Sequence, residues 1–237
     1  MIILGDIHGT FQYLIELLEM FDFENESIIS VGDFGLGFND YYFECGQLTG
    51  LNKELCNRGL TLYVIRGNHD HPSYWSGSNQ SDDPGFSNII LVADYTTLTI
   101  EGKKVLFIGG GTSIDRSMRT EGMNYWKDEV IIRDDEYIKS LPENSIDVVI
   151  THCPIAKMFW HVCGTDMVNS YAFRDRNLWS DIDKEQSILE EYNSILKETQ
   201  KDSLKMWFSG HLHISSTVYI DNIKYVVLNI NEFYEVR

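Results

Sequence analysis

The sequence predicts an α/β fold, and three observations predict it. Short apolar strands end repeatedly on glycine plus a polar cluster, stretches with helical apolar spacing separate the first of these, and closely spaced strands follow in the middle and at the C-terminal end. The first two are the pattern of βαβ units around a parallel sheet; the third calls for antiparallel or mixed pairing. With 237 residues, 43% of them hydrophobic, the chain can bury a full core, which favours one domain over 1–237.

The elements follow in order. "MIIL" reads as a buried strand, and Phe11, Leu14, Ile15, Leu18 and Phe21 fall at helical spacing. "SIISVGD" at 27–33 is a second strand ending on Gly-Asp, and 39–58 suits a helix. "LTLYVIRGNHD" at 60–70 repeats the pattern with β-branched and aromatic residues. "NIILVAD", "TTLTIEG" and "KKVLFIGGG" over 88–111 read as strands of an antiparallel or mixed region, with "EGKK" as a hairpin turn. "SIDVVITHC" at 145–153 is another buried strand, and 184–200 carries Ile188, Leu189, Tyr192, Ile195 and Leu196 on one helical stripe. "KMWFSGHLH", "STVYIDN" and "IKYVVLNI" supply three more strands. The stretch 154–182 fits neither period and reads as an insertion or lid.

Composition narrows the function. A formal charge of -17 argues against a broad surface for duplex nucleic acid, which needs accumulated Lys and Arg. No apolar run approaches the roughly 20 residues that span a bilayer. Cys45, Cys56, Cys153 and Cys163 lack the spacing of a disulfide scaffold, and the N-terminus lacks a charged start with an apolar run behind it. The expectation is a cytoplasmic protein.

The strand-end clusters hold Asp6 and His8, Asp33, Asn68 and His69, His152, and His211 and His213. Singly, an Asp after a strand is most often a cap or turn former, and a lone His is usually a hydrogen-bonded residue. Collectively they hold five of the seven histidines, and parallel strands deliver their carboxyl ends to one rim. Extended backbone would aim residues i and i+2 the same way, so "DIH" and "HLH" each present two donors together. Carboxylate, amide and imidazole donors suit Mn²⁺, Fe, Zn²⁺ or Ni²⁺ better than a Cys-rich structural site. Seven candidate ligands exceed what one tetrahedral ion takes, so two divalent ions are expected, Mn²⁺ foremost and Mg²⁺ as a further alternative.

The ordered blocks "GDIHG", "GD" at 32–33, "GNHD" at 67–70, "TH" at 151–152 and "GHLH" at 210–213 resemble the signature of the calcineurin-like metallophosphoesterase superfamily. The resemblance implies a four-layer αββα sandwich of two mixed sheets with flanking helices and a dinuclear metal site at the strand ends. It places Asp6, His8 and His213 on one metal, Asn68, His152 and His211 on the other, and Asp33 between them. It makes His69 a general acid and phosphate contact, and it implies hydrolysis of a phosphodiester or phosphomonoester by a hydroxide held between the ions. Ser/Thr protein phosphatases of the superfamily continue the second block as GDxxDRG, whereas this chain has Leu36 and Gly37 where Asp and Arg would stand. "GHLH" is typical of phosphodiesterase branches, while "IRGNHD" with Arg66 keeps a protein-phosphatase reading open. A catalytically silent protein-binding scaffold is the remaining alternative.

Substrate contacts have fewer signals. Arg116 and Arg119 in "GGGTSIDRSMR" either reach phosphate or form structural ion pairs. The 154–182 stretch carries Trp160, His161, Tyr171, Phe173, Arg174, Arg176 and Trp179, either a platform for a base or phosphate or an apolar flap. Asp70 either orients an imidazole or caps a loop, and Cys153 reads as a buried filler. The expected partner is a phosphate-ester substrate, a nucleotide or nucleic-acid fragment among the candidates, with no membrane.

Overall fold

The computed structural model describes residues 1–75 and 86–236. Its first sheet holds β1 (Ile2–Leu4), β2 (Ser27–Ser30), β3 (Thr61–Val64), β4 (Ile89–Leu91) and, at the far end of the chain, β11 (Phe233–Glu235). The order is β11-β1-β2-β3-β4, with β1 to β4 mutually parallel and β11 antiparallel to β1. The helices α1 (Phe11–Phe21) and α2 (Tyr41–Arg58) cross between successive strands. Asp40 caps α2 by accepting from the amides of Tyr42 and Phe43, and Gly59 ends it in the left-handed conformation, as helix termini favour.

The second sheet runs β5-β6-β7-β8-β10-β9. Its strands are β5 (Thr96–Ile100), β6 (Lys103–Ile108), β7 (Val148–Thr151), β8 (Met206–Ser209), β9 (Ser216–Ile220) and β10 (Ile223–Val227). β6, β7, β8 and β10 are parallel, while the hairpin partners β5 and β9 close the edges antiparallel. α3 (Asp135–Ser140), α4 (Ala156–Ala172) and α5 (Leu178–Thr199) belong with this sheet.

Alternation along the strands builds the layers. In β1, Ile2 and Leu4 pack with Phe11, Leu14, Leu48 and Leu51 of α1 and α2, whereas Ile3 joins Ile29, Phe107, Val148, Ile150 and Phe208 from both sheets. In β7, Val149 turns instead toward Phe159, Leu189 and Tyr192 on the helices of the second sheet. Three apolar cores therefore separate helix, sheet, sheet and helix, and the inner strands, among them β1, β2, β6, β7 and β8, each contribute to two of them.

Three expectations need correction. "NIILVAD" does not join the two strands that follow it: β4 extends the first sheet in parallel, because Leu62, Tyr63 and Val64 register with Ile89, Ile90 and Leu91. The stretch 154–182 is mostly helical. α4 kinks at Gly164 (φ 64°, ψ 179°), so no single 3.6-residue stripe runs through it. α5 begins at Leu178 rather than at residue 184.

Candidate metal centre

β1, β2, β3, β7 and β8 all end on the same rim, and the loops just past them carry the seven candidate ligands. They meet there by tight turns and not by extended backbone. His8 (φ 51°), Asp33 (φ 49°), His211 (φ 68°) and His213 (φ 55°) all occupy the left-handed region, which costs energy outside glycine and is typical of functional sites. The expected i, i+2 geometry thus gives way to left-handed turns that reach the same convergence. Close approach requires glycine at two neighbours: a Cβ on Gly210 would lie 2.0 Å from Asp6 Oδ1, and one on Gly67 would lie 2.1 Å from Asp33 Oδ1.

The donors divide into two groups. His8 Nε2 lies 2.9 Å from His213 Nε2 and 3.7 Å from Asp33 Oδ2, and His213 Nε2 lies 3.2 Å from Asp6 Oδ2. One ligand atom from each of Asp6, His8, Asp33 and His213 falls within 4.8 Å of the others. In the second group, Asn68 Oδ1 lies 2.8 Å from both His152 Nε2 and His211 Nδ1, and Asp33 Oδ1 is 3.2 Å from His152 Nε2. The two oxygens of Asp33 therefore face different groups.

The donor chemistry fits cations. His152 Nδ1 donates to Val31 O at 2.9 Å, so in the neutral ring Nε2 is a lone pair aimed at the oxygens of Asn68 and Asp33. Acceptors converging with no hydrogen between them repel unless a cation sits among them. Asp6 Oδ1 is buried without a hydrogen-bond partner, although Oδ2 accepts from the His211 amide at 2.9 Å. The electrostatics agree. Burial pushes the Asp33 carboxyl well above the usual range, helped by Asp6 and Asp70, and burial holds His211 well below and His8 down at about 4. His213, unlike His8 and His211, is raised, first by its hydrogen bond to Asp6.

The loop around Asp33 is held by two buried carboxylates. Asp70 accepts from the amides of Phe34, Gly35, Leu36 and Gly67, and Glu44 takes Gly37, Phe38 and Asn39. Asp70 is thus the loop cap and not an imidazole partner; burial still pushes its carboxyl up to about 6. His69 has its amide on Asp33 Oδ1 at 2.7 Å and its ring edge-on to His8. Burial, followed by the Arg119 cation, lowers its pKa to about 2.

A cavity of about 320 Å³ opens beside these groups. Its lining combines Asp33, Asn68, His211 and His213 of the centre with His69, Asp115 and Arg119 and with the less polar Ile114, Phe159, Cys163, Met167, Tyr171 and Leu212. Arg119 is the one candidate arginine lining it: its fork grips Asp115 at 2.7 and 2.8 Å, and Nη2 lies 2.9 Å from His69 Nε2. The other candidates are elsewhere. All five N–H groups of Arg66 are taken by Asp94 and the carbonyls of Asp128, Glu129 and Val130, which removes it from phosphate binding. Arg116 is an ion-paired strut to Asp175 and Asp181, both at 2.5 Å. Arg174 and Arg176 are exposed, with Arg174 over Phe173, and Trp160 stacks on Trp179 away from the cavity lining. Cys153 is buried, its thiol pKa raised by burial and its sulfur contacted by Gln186 Nε2 at 3.2 Å, as befits a filler.

Sequence reading missed a second layer of residues. Ser113 and Glu129 lie buried behind Asn68, and Glu185, reached by the Thr112 hydroxyl, lies beside Cys153 behind His152. No spacing marks them, since Ser113 and Glu129 stand 45 and 16 residues from their partners.

The family model for calcineurin-like phosphoesterases matches residues 1–215. No curated protein matches the chain. Among solved structures, TT1561 of Thermus thermophilus aligns over 97% of this chain and 89% of its own, at 12% identity and a TM-score of 0.51. A novel archaeal phosphodiesterase aligns over 97% and 84%, at 15% identity and a TM-score of 0.41. A phosphopantetheinyl hydrolase from Mycobacterium tuberculosis aligns over 97% and 89%, at 13% identity and a TM-score of 0.47. At 12% identity the first of these is a likeness of fold.

Proposed function

The chain belongs to the calcineurin-like phosphoesterase family, hydrolases of phosphoric esters that use divalent metal ions, and from that premise we propose that it cleaves a small phosphodiester or phosphomonoester at a two-metal centre. The observation that carries this reading is the convergence of seven donors from five strand ends into two groups sharing Asp33. Asp6, His8 and His213 would hold one ion and Asn68, His152 and His211 the other, with Asp33, whose two oxygens face the two groups, available to both. When bound, the ions, Mn²⁺ foremost, lower the pKa of a water and neutralise the phosphoryl oxygens.

The chain's own residues do the rest. Arg119, already steadied by Asp115, offers its guanidinium to a phosphoryl oxygen. In the metal-free protein His69 is neutral beside that cation; an anionic phosphoryl group held against both would offset the cation's charge and draw a proton onto the ring. From there His69 protonates the leaving oxygen, a role typically worth about 10²–10⁴-fold. The lining formed by Ile114, Phe159, Met167 and Tyr171 excludes water and receives the organic part of the ester. We read α4 as the wall of a lid over the site within one domain. A protein-phosphatase reading rested on Arg66, whose donors are spent on structure. The four cysteines are free, which supports a reducing, cytoplasmic setting. No helix among the described residues is long and apolar enough to cross a membrane.

Mn²⁺-loaded protein assayed side by side on a generic monoester, a generic diester and a phosphopeptide tests the reading. Turnover of a small ester above that of the phosphopeptide is expected, with the His69→Ala variant most impaired on the ester with the poorest leaving group. Absence of turnover on all three would overturn it and return the scaffold alternative.

A further inference from the structure

We infer that Ser113 and Glu129 are positioning residues that fix which face Asn68 turns to the metal centre, and that Arg66 anchors the segment carrying Glu129. The inference rests on the two-metal reading above. A carboxamide has two ends of nearly equal shape and opposite chemistry: the oxygen can ligate a cation and the NH₂ cannot. Nothing within Asn68 chooses between them, so the choice falls to the groups its NH₂ meets.

Those groups form a directed chain. Asn68 Nδ2 donates to Ser113 Oγ at 2.9 Å, Ser113 Oγ donates to Glu129 Oε2 at 2.9 Å, and the Ser113 amide donates to Glu129 Oε1 at 2.7 Å. The Ser113 amide already holds Oε1 as an acceptor, and Glu129 when ionised accepts at Oε2 as well, so it draws the hydroxyl proton of Ser113 to itself and leaves the oxygen's lone pair toward Asn68. A flipped Asn68 would set its oxygen against that lone pair. Asn68, Ser113 and Glu129 are only 3%, 1% and 1% exposed, so water does not substitute for a missing partner.

The far end of the chain is fixed as well. Arg66, two residues before Asn68, donates to the carbonyls of Asp128, Glu129 and Val130 at 3.2, 2.8 and 2.9 Å, and the Gly111 amide donates to Glu129 O at 3.0 Å. The strand end that presents Asn68 therefore also holds the segment that orients it. No equivalent chain of side chains stands behind Asp6 or His8 among the described residues.

Titration with Mn²⁺ alone at pH 8 tests this, by calorimetry with parallel elemental analysis, on the wild type and on Ser113→Ala and Glu129→Gln. The first variant deletes the hydroxyl; the second keeps the shape of Glu129 but replaces an acceptor with a donor. Each variant is expected to keep one ion at wild-type affinity, which also reports an intact fold, and to lose about 10–100-fold in affinity for the other. Two ions bound as in the wild type would overturn the positioning role and leave the two-metal reading standing. Loss of both ions would overturn it too, as the mark of general structural damage. A wild type that binds fewer than two ions would overturn the two-metal reading itself, and the inference with it.

Discussion

Asp6, His8 and His213 form the open half of the centre, Asn68, His152 and His211 the enclosed half, with Asp33 facing both. The side chains of His213 and His8 are 41% and 23% exposed, whereas that of His152 is wholly buried. The open half brings a carboxylate of its own, Asp6, with one oxygen unpartnered. The enclosed half brings an amide and two imidazoles, all neutral as ligands, and relies on orientation: Val31 O fixes the tautomer of His152, and Ser113 fixes the face of Asn68. On the two-metal reading, charge would favour an ion in the first half, and orientation, set by residues outside the donor set, would favour one in the second.

The largest expected effect abolishes the comparison, because Asp33 serves both halves. Asp33→Asn keeps the shape and halves the acceptor capacity, so bound metal should fall below two ions per chain and ester hydrolysis by about 10³-fold. Unchanged stoichiometry by elemental analysis would place Asp33 outside the bridge.

A smaller effect sharpens the comparison through protons. In the metal-free protein the buried carboxyls of Asp33, Asp70, Glu129 and Glu185 are all raised by burial, Asp70 to about 6 and Glu129 to about 8. These four carboxyls therefore bind more protons folded than unfolded above the ordinary carboxyl range, whereas His8, His69 and His211, lowered by burial, bind fewer below the ordinary histidine value of 6.5. The carboxyls' contribution is fully present below the ordinary carboxyl range and is lost as pH rises toward about 8. Denaturant melts in chelator should show stability falling between about pH 7 and pH 8, above the range in which the lowered histidines oppose the trend. Divalent metal should lessen the fall, since cations favour the ionised carboxylates. A metal-free protein equally stable across that window would contradict the burial assigned to these groups.

Legibility in the sequence followed the range of the interactions. Strand ends such as "GNHD" and "GHLH" carry their chemistry within a few residues, and the fold brought all five of them to one rim. The four-layer order was legible only through the family resemblance: β1 and β7 are apolar throughout, so their spacing does not show that alternate residues serve different cores. α4 was not readable, since Gly164 breaks its stripe in two. The left-handed turns at His8 and His213 contradicted the extended geometry expected there, because the backbone must fold back tightly to bring both rings over Asp6 and Asp33. The structural role of Arg66 was not legible for a similar reason: its partners lie 28 and 62–64 residues away, and an arginine two residues from a candidate ligand looks the same in sequence whether its fork holds phosphate or backbone.

The most direct measurement is anomalous diffraction from crystals loaded with Mn²⁺ alone. Two peaks about 3.5–4 Å apart are predicted. One should be bounded by Asp6, His8 and His213, the other by His152, His211 and the oxygen of Asn68, with Asp33 reaching both. A single peak, or a second peak away from Asn68 and His152, would contradict the two-metal centre.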